Sequence, residues 1–286
     1  MPRPISKDTT LCISLSARPG NFGTRLQNFL YEALDLDALY KAVRTTDLAG
    51  AITGIRALGI RGAAVSMPFK EACIPLLDEL DPAAADIGSV NTIVNTGGRL
   101  RGYNTDYIAV RRLLEQHRIP RAARFAVRGS GGMARAVLCA LGDVGFQSGV
   151  VIARNRTAGR ALAQGRGLQW QADTRDLAAD LLINATPIGM SSGMTGDPEA
   201  TALAFETELI TAATTVFDVV ALPPETPLIR TARALGKQVI TGAEVIAIQA
   251  LEQFVLYTGQ HPTPEQVRAA IVYAGEEPDR TAAGTA

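Results

Sequence analysis

Lys70 and Asp106 are the two side chains whose types and settings could run acid–base chemistry. Only four of the 28 basic residues are lysines, namely Lys7, Lys41, Lys70 and Lys237, so the chain uses arginine for most of its positive charge. Lys70 closes the run "AVSMPFK", just past an apolar strand-like stretch, where a partly desolvated ammonium can give up a proton as a guanidinium cannot. Asp106 sits in "GYNTDY", also just past a strand-like run and at the start of a helical pattern. Both fall at strand ends, the edge at which open α/β sheets bind ligands. A carboxylate beside such a lysine can orient it and exchange protons with it, which suits oxidation of an alcohol when a hydride leaves for a nicotinamide. Two plainer roles stand beside this one. Asp106 fits the N-cap of its helix, and Lys70 fits a surface lysine whose stem lies along apolar groups.

The run "VRGSGGMARAV" raises a second chemistry. Gly129, Gly131 and Ala134 match G-x-G-x-x-G/A directly after a strand and at a helix start, with Ser130, Gly132 and Met133 between them. Small residues there let backbone approach a pyrophosphate, and the helix N-terminus favours its charge. A site for NAD closes its second strand with an acidic residue about 20 residues past the glycines, to grip the ribose hydroxyls. Here that place reads "ARNRT". Arg154 and Arg156 suit a 2′-phosphate, and Asn155 and Thr157 supply neutral donors, so the expected cofactor is NADP.

The elements that must position these groups are legible in outline. Phe22, Leu26, Phe29, Leu30 and Leu34 recur at helical spacing, and "LYKAV" follows as a strand. A helix from Thr46 as N-cap to Leu58 precedes the strand "IRGAAVSM", after which Pro68 fits the first turn of a further helix. "SVNTIVN" and "RLRGYN" read as a hairpin turning at Thr96, Gly97 and Gly98. The helix near Asp106 buries Val110, Leu113 and Leu114, and its exit through Ile119, Pro120 and Arg121 has the composition of a domain boundary. Beyond it "RFAVR", a helix from about Gly131 to Leu141, "GVVIAR", "DLLINAT", "TTVFDVV" and "KQVIT" have the continuous apolar character of buried parallel strands alternating with helices. Ala243 to Tyr257 is a long amphipathic pattern, Thr263 and Pro264 open a last helix, and the tail after Tyr273 is expected to fray.

Bulk properties narrow the partners. A chain of 286 residues can bury two modest cores. Its 28 basic and 28 acidic residues cancel with no like-charge run, so the footprint expected of a nucleic-acid or anionic-membrane binder is missing. Small molecules are the expected partners. Cys12, Cys73 and Cys139 are widely spaced in apolar surroundings and read as core residues of a reducing compartment. The first residues lack the apolar stretch of a secretion signal and no run reaches the roughly 18 apolar residues of a membrane span, so the expected location is the cytoplasm. His117 and His261 read as solvated surface residues rather than ligands, and no metal is expected. The H-E-x-x-H pattern of zinc hydrolases does not occur.

Taken together, "SLS" at Ser14 to Ser16, "SMPFK" ending at Lys70, "SVNT" with Asn91, "GYNTD" ending at Asp106, "GSGGMARA", "NRT", "NATPIGM", "FDVV" and "TGAEVIAIQA" resemble the shikimate dehydrogenase family, in its order, over roughly residues 11 to 262. The opening "LCISLSARPGNFGTRLQNFL" and the form of "SMPFK" resemble its shikimate dehydrogenase-like branch. The resemblance implies an α/β fold with an amino-terminal substrate domain, a Rossmann dinucleotide-binding domain, and carboxy-terminal helices returning to the first domain. It implies a division into residues 1–107, 108–240 and 241–274, with a flexible tail at 275–286. It implies reversible, metal-free, NADP-dependent oxidation of the ring hydroxyl of shikimate to the 3-dehydro ketone, a step of aromatic amino acid biosynthesis on the chorismate pathway, by a monomer or homodimer.

Carried over by resemblance, Lys70 and Asp106 match the catalytic pair, and Ser14 and Ser16 match the hydroxyls that bind the substrate carboxylate. Ser66, Asn91 and Gln249 match contacts to ring hydroxyls. Gly242 matches a glycine on the nicotinamide side, and Thr186 and Pro187 line the cofactor cleft. The departures from the family pattern are Ile13 for His, Ala17 for Pro, extra residues around Pro19 to Gly23, Ala64 for Asn, Ser66 for Thr, Ala221 for Tyr and Val245-Ile246 for Met-Leu. Each hydrogen bond lost in such a site costs about 1–3 kcal/mol, so shikimate turnover is expected to be weaker by ~10–100-fold or more. A quinate- or aminoshikimate-type dehydrogenase, or a sensor of NADP or a metabolite with little catalysis, are the alternatives.

Overall fold

The computed structural model describes residues 4–17, 19–191 and 198–276. In chain order its first half runs β1 (Thr10–Ser16), α1 (Phe22–Ala33), β2 (Ala38–Arg44), α2 (Leu48–Ala57), β3 (Gly62–Val65), β4 (Glu79–Leu80), α3 (Pro82–Ile87), β5 (Thr92–Thr96), β6 (Arg99–Tyr103) and α4 (Thr105–Gln116). Then follow β7 (Phe125–Arg128), α5 (Gly132–Val144), β8 (Gly149–Ile152), α6 (Arg156–Gln164), β9 (Gln169–Gln171), β10 (Leu181–Asn184) and α7 (Pro198–Thr201). The last elements are α8 (Thr207–Ala212), β11 (Thr215–Asp218), α9 (Pro227–Ala234), β12 (Gln238–Ile240), α10 (Gly242–Thr258) and α11 (Pro264–Gly275).

Two compact units share these elements. The first is Met1–Asp81, Val90–Tyr103 and Ala250–Ala286, and the second is Pro82–Ser89 with Asn104–Gln249. Relative to the division expected from the sequence, the second unit also takes in 82–89, 104–107 and 241–249. Ile119 and Ala123 are buried in the same cluster as Val110, Leu113 and Leu114, so the expected boundary at Ile119–Arg121 falls inside a core. Arg118, at φ 50, only turns the chain there.

The first unit is built on a sheet of order β2-β1-β3-β5-β6-β4. β1 pairs parallel with β2 and with β3, whereas β5 runs antiparallel to β3. Thr96 opposes Arg99, leaving Gly97 and Gly98 as a two-residue turn with φ of 59° and 89°; both angles fall where glycine has no Cβ penalty. Leu26, Leu30 and Tyr31 of α1 pack with Phe254 and Tyr257 of α10 in its core. Gly62 is needed there, because a Cβ would lie 2.2 Å from the Tyr257 ring.

The second unit holds a fully parallel sheet of order β12-β11-β10-β7-β8-β9. The strands β7, β8, β10 and β11 at its centre are short, mostly apolar and largely buried, as a sheet covered on both faces requires. One apolar cluster joins α4 and α5 to the sheet, and a second joins Phe205, Ile210, Leu228 and Ala232 to Ala126, Ile152 and Leu182. The strand order reverses at β7, with β8 on one side and β10 on the other, which is the place where such sheets bind dinucleotides.

Several local expectations are corrected. Pro68 does not start an α-helix: Met67–Pro68 is a cis peptide inside a turn, and tight turns lead to a 3-10 turn at Ile74–Leu76. The cap of α2 is Asp47, not Thr46, and its carboxylate accepts from Gly50 N at 2.8 Å. The short strands β4 and β9 had no periodic signal. Thr263 caps α11 as expected, in a reciprocal box with Gln266. That helix runs to Gly275 with Ala274 buried, past the point where fraying was expected; residues 277–286 of the expected tail lie outside the described residues.

Candidate active site and cofactor cradle

In the first unit the polar residues gather on one edge of the sheet, at the carboxyl ends of β1 and β3. Ser14 lies between Ala42 of β2 and Ala64 of β3, and Ser16 ends β1 in a buried position. The buried Tyr40 phenol hydrogen-bonds Ser14, and burial pushes its pKa up despite that bond. Ser66 follows β3, its N–H donating to Leu15 O at 3.0 Å, with its side chain exposed. The turn beyond it brings in Lys70, half-buried, whose carbonyl accepts from Val90 N at 2.8 Å.

Asn91 sits at the same edge because its carbonyl accepts from Val65 N at 2.7 Å. Its side-chain Oδ1 accepts from Thr92 Oγ1 at 2.8 Å. Gln253 on α10 donates to that hydroxyl at 3.1 Å and to Asn91 O at 3.4 Å. Only 2% of Asn91 and 4% of Gln253 is exposed, so the amides form a fixed polar floor.

In the second unit the glycine loop lies at the strand-order reversal. Gly129 N donates to Ile152 O and Ala185 N donates to Arg128 O, each at 2.8 Å, which seats the loop between β8 and β10. Gly131 is the N-cap of α5 and gives no side-chain cap, leaving the first amides of that helix without side-chain partners. A Cβ on Gly131 would meet nothing within 4 Å, so the backbone there opens on space. An uncapped helix start beside open backbone is a ready-made anion cradle. Behind it, a Cβ on Gly132 would lie 2.7 Å from Ser89 Oγ, and Ala134 is fully buried.

Past β8, Arg154 and Arg156 are exposed. Asn155 caps α6, its side-chain oxygen accepting from Ala158 N at 3.1 Å. That cap uses only its oxygen and leaves the expected donor role of its amide nitrogen untouched, and Thr157 is exposed beside it. The guanidinium carbons of Arg156 and Arg160 lie 5.7 and 5.0 Å from the centre of the Trp170 ring. Cation–π attraction at that range steadies a flexible arginine.

A family model described as the shikimate dehydrogenase substrate binding domain matches residues 22–93. A shikimate dehydrogenase-like protein of Haemophilus influenzae is 52% identical over 270 residues, covering 94% of this chain and 98% of its own. The chain belongs to the shikimate dehydrogenase family. Within it, the chain stands in the shikimate dehydrogenase-like branch. A solved structure of a shikimate 5-dehydrogenase-like protein superposes with a TM-score of 0.87 at 51% identity, over 95% of this chain and 99% of that one. The shikimate 5-dehydrogenase of Thermus thermophilus, solved in complex with NADP(H) and shikimate, gives 0.81 at 31% identity over 93% and 99%.

Of the family-matched residues, Ser14, Ser16, Ser66, Lys70 and Asn91 share one sheet edge of the first unit. Asp106 belongs to the second unit. It occupies the first turn of α4 and is only 3% exposed, and the N-cap is Asn104, whose side chain accepts from Tyr107 N at 3.0 Å. The capping role considered for Asp106 is therefore taken by its neighbour. Gln249 lies half-buried on α10, one turn before Gln253. Thr186 bonds to Asn184, Pro187 is exposed, and a Cβ on Gly242 would lie 2.2 Å from the Val220 carbonyl. Gly242 thus answers first to its own backbone neighbour.

Sequence reasoning missed several groups. Gln253 could have been found as the i+4 neighbour of Gln249 on a helix face. Arg128 donates to Ala204 O and lies 6.0 Å from the Phe205 ring centre. Burial lowers its pKa, with Arg154 adding to that and Glu206 opposing it. His117, expected in solvent, pairs instead with Glu244, Nε2 to Oε1 at 3.2 Å. The three cysteines are buried and free. Among the described residues no cluster of His, Cys, Asp or Glu could hold a metal, and no helix is long and apolar enough to cross a membrane.

Proposed function

We propose that this chain is an NADP-dependent dehydrogenase that reversibly oxidises the ring hydroxyl of shikimate or a closely related cyclic hydroxy-acid. The first unit holds the acid and the second holds the cofactor. The observation that carries the reading is the gathering of Ser14, Ser16, Ser66, Asn91 and Lys70 on one sheet edge. Neutral hydroxyls there can bind a carboxylate by charge-assisted bonds without burying a counter-charge. Gly129 to Ala134, Thr186, Pro187 and Gly242 hold the dinucleotide, and Arg154, Arg156, Asn155 and Thr157 hold its 2′-phosphate end. The bound nicotinamide supplies the hydride acceptor. Lys70 takes up the hydroxyl proton during oxidation and returns it during reduction, and Asp106 is the carboxylate that matches the family's catalytic pair.

Ala64 favours a second substrate. It faces Ser14 and Thr92 across the register of β3, where the family pattern carries a hydrogen-bonding Asn. Together with Ala221 it removes polar and aromatic groups, which suits a bulkier or differently substituted ring such as quinate or an aminoshikimate.

The test is NADPH formation by the purified protein with NADP across shikimate, quinate, aminoshikimate and close relatives. Shikimate as the best substrate upholds the first reading, and a faster relative upholds the second. Tight NADPH binding with no turnover of any member would remove the dehydrogenase reading in favour of a sensor.

A further inference from the structure

Asp218 closes β11 with a side chain that is fully buried, and none of the roles above uses it. Its Oδ1 accepts from Asn184 Nδ2 at 2.9 Å and from Val220 N at 3.1 Å. Its Oδ2 accepts from Thr226 Oγ1 at 2.6 Å, and Thr226 in turn caps α9 by accepting from Ile229 N at 3.2 Å. Asn184 carries the network onward. Its Oδ1 accepts from Thr186 N at 3.1 Å and Thr186 Oγ1 at 2.6 Å, and its Nδ2 also donates to Ile188 O at 3.0 Å. That uses the full donor and acceptor capacity of the amide.

The network reaches the segments that matter for a dinucleotide. Asn184 fixes the 186–188 turn. Asp218 fixes the backbone at Val220, against which Gly242 packs with no room for a Cβ. Ser191 N donates to Leu222 O at 3.1 Å, tying the two loops together again.

We infer that Asp218 is a positioning residue for the cofactor, holding the 186–188 turn and the Val220–Gly242 contact in the shape the dinucleotide needs without touching it. The inference rests on the reading that Thr186, Pro187 and Gly242 line the cofactor site. A buried carboxylate is a costly way to satisfy donors that a neutral group could also meet. Its gain is in shorter, charge-assisted bonds, which hold a site more rigidly. The groups facing it are neutral: the Asn184 amide from β10, the Thr226 hydroxyl at the start of α9, and the Val220 N–H. Ile240 of β12 is buried and apolar, and Glu244 of α10 is committed to Thr241 and His117. Burial lifts its pKa to about 6, outweighing the opposite pull of the bonds from Thr226, Val220 and Asn184. Protonation removes the charge assistance, so the turn loosens below that pH.

The experiment is NADPH binding to the intact protein, followed by fluorescence from about pH 5 to about pH 8, with Asp218→Asn, Thr226→Val and Thr226→Ser. Asp218→Asn is expected to weaken NADPH about tenfold near neutral pH, with the KM of the hydroxy-acid little changed. The ratio of wild-type to variant affinity should shrink toward one as pH falls through about 6. The 2′-phosphate itself titrates near pH 6, but it is common to both proteins and cancels in the ratio. Thr226→Val should weaken NADPH, and Thr226→Ser should restore wild-type affinity. A folded Asp218→Asn protein with wild-type affinity and a parallel pH profile overturns the inference. Should that variant not fold, equal NADPH affinity in Thr226→Val, Thr226→Ser and wild type overturns it instead. Failure of the wild-type protein to bind NADPH at any pH would bring down the cofactor reading, and the inference with it.

Discussion

Gly129 and Ala185 approach so closely that a Cβ on Gly129 would lie 2.7 Å from the Ala185 carbonyl oxygen. Gly129 also has φ of 133°, a conformation side chains rarely adopt. Two residues on, Gly131 has φ of −85° and open space around it. The two glycines therefore meet different constraints: Gly129 is held by close contact within the fold, whereas Gly131 opens on space where the proposed dinucleotide would bind. Gly129→Ala is expected to lower Tm by several degrees, a cost of about 1–3 kcal/mol. Gly131→Ala should leave Tm within about 1–2 °C of wild type while weakening NADPH binding. Thermal melts paired with NADPH titration check both, and equal Tm losses would show that Gly131 is structural too.

Arg156 tests the choice of cofactor. It is exposed, lies near Trp170 and has no carboxylate beside it among the ion pairs of the described residues. Such an arginine is available to an anion. Arg156→Ala should reduce the preference for NADP over NAD by about 10–100-fold, the value of one or two charge-assisted bonds, while NAD binding itself changes little. Raising salt should erode the wild-type preference and leave the variant flat. An unchanged ratio of kcat/KM values would mean that the 2′-phosphate is read elsewhere, with Arg154 and the half-buried Arg128 the next residues to replace.

Lys70 should show the signature of a group that acts in the chemical step. Lys70→Ala is expected to lower kcat by about 10²–10⁴-fold, the usual worth of a positioned acid–base group, with NADPH affinity nearly unchanged. Lys70→Arg keeps the charge but not the ability to release a proton, so it should not restore kcat. Steady-state kinetics beside direct NADPH binding separate the cases. Equal losses in both would assign Lys70 to structure.

Much of this was legible in the sequence because buried parallel strands are written as continuous apolar runs, and β7, β8, β10, β11 and β12 all announce themselves that way. The hairpin was legible because Gly97 and Gly98 can supply the positive φ that its turn needs. The glycine loop was legible by its spacing after a strand. β9 was not, since "QWQ" is an edge strand of three residues whose one ladder partner among the described residues is β8 and whose Trp170 packs on Gly159. Pro68 misled because proline suits a helix start as well as a turn, and only the bonds from Phe69 N to Ser66 O and Cys73 N to Phe69 O decide between them. Asn104 and Asp106 are both good caps two residues apart, and which one caps depends on where α4 leaves β6. The Asn184–Asp218 pair was invisible for a more general reason. Each residue reads as a polar end to an apolar strand, and only the register of β10 with β11, which sets Asn184 opposite Asp218, reveals the pair.

That pair also predicts how stability varies with pH. In the unfolded chain Asp218 ionises near 3.8, whereas in the fold burial holds its proton until about 6. The folded state therefore binds the extra proton between those values. Its contribution to stability is full below pH 3.8 and is lost as pH rises through about 6. The loss amounts to about 3 kcal/mol at 1.36 kcal/mol per pH unit, and the full burial of the side chain spares it from solvent screening. Asp78 and Asp86 act in the opposite sense, since hydrogen bonds from Arg56 and Arg166 hold their carboxyls below the usual range, but both are partly exposed and weigh little. Asp218→Asn removes the ionisation while keeping one acceptor for Asn184 and Val220. The Tm of wild type minus that of Asp218→Asn should then fall by roughly 5–10 °C between about pH 4 and about pH 7. A difference that stays constant over that range would mean the carboxylate is ionised in the fold throughout, with the three hydrogen bonds outweighing burial.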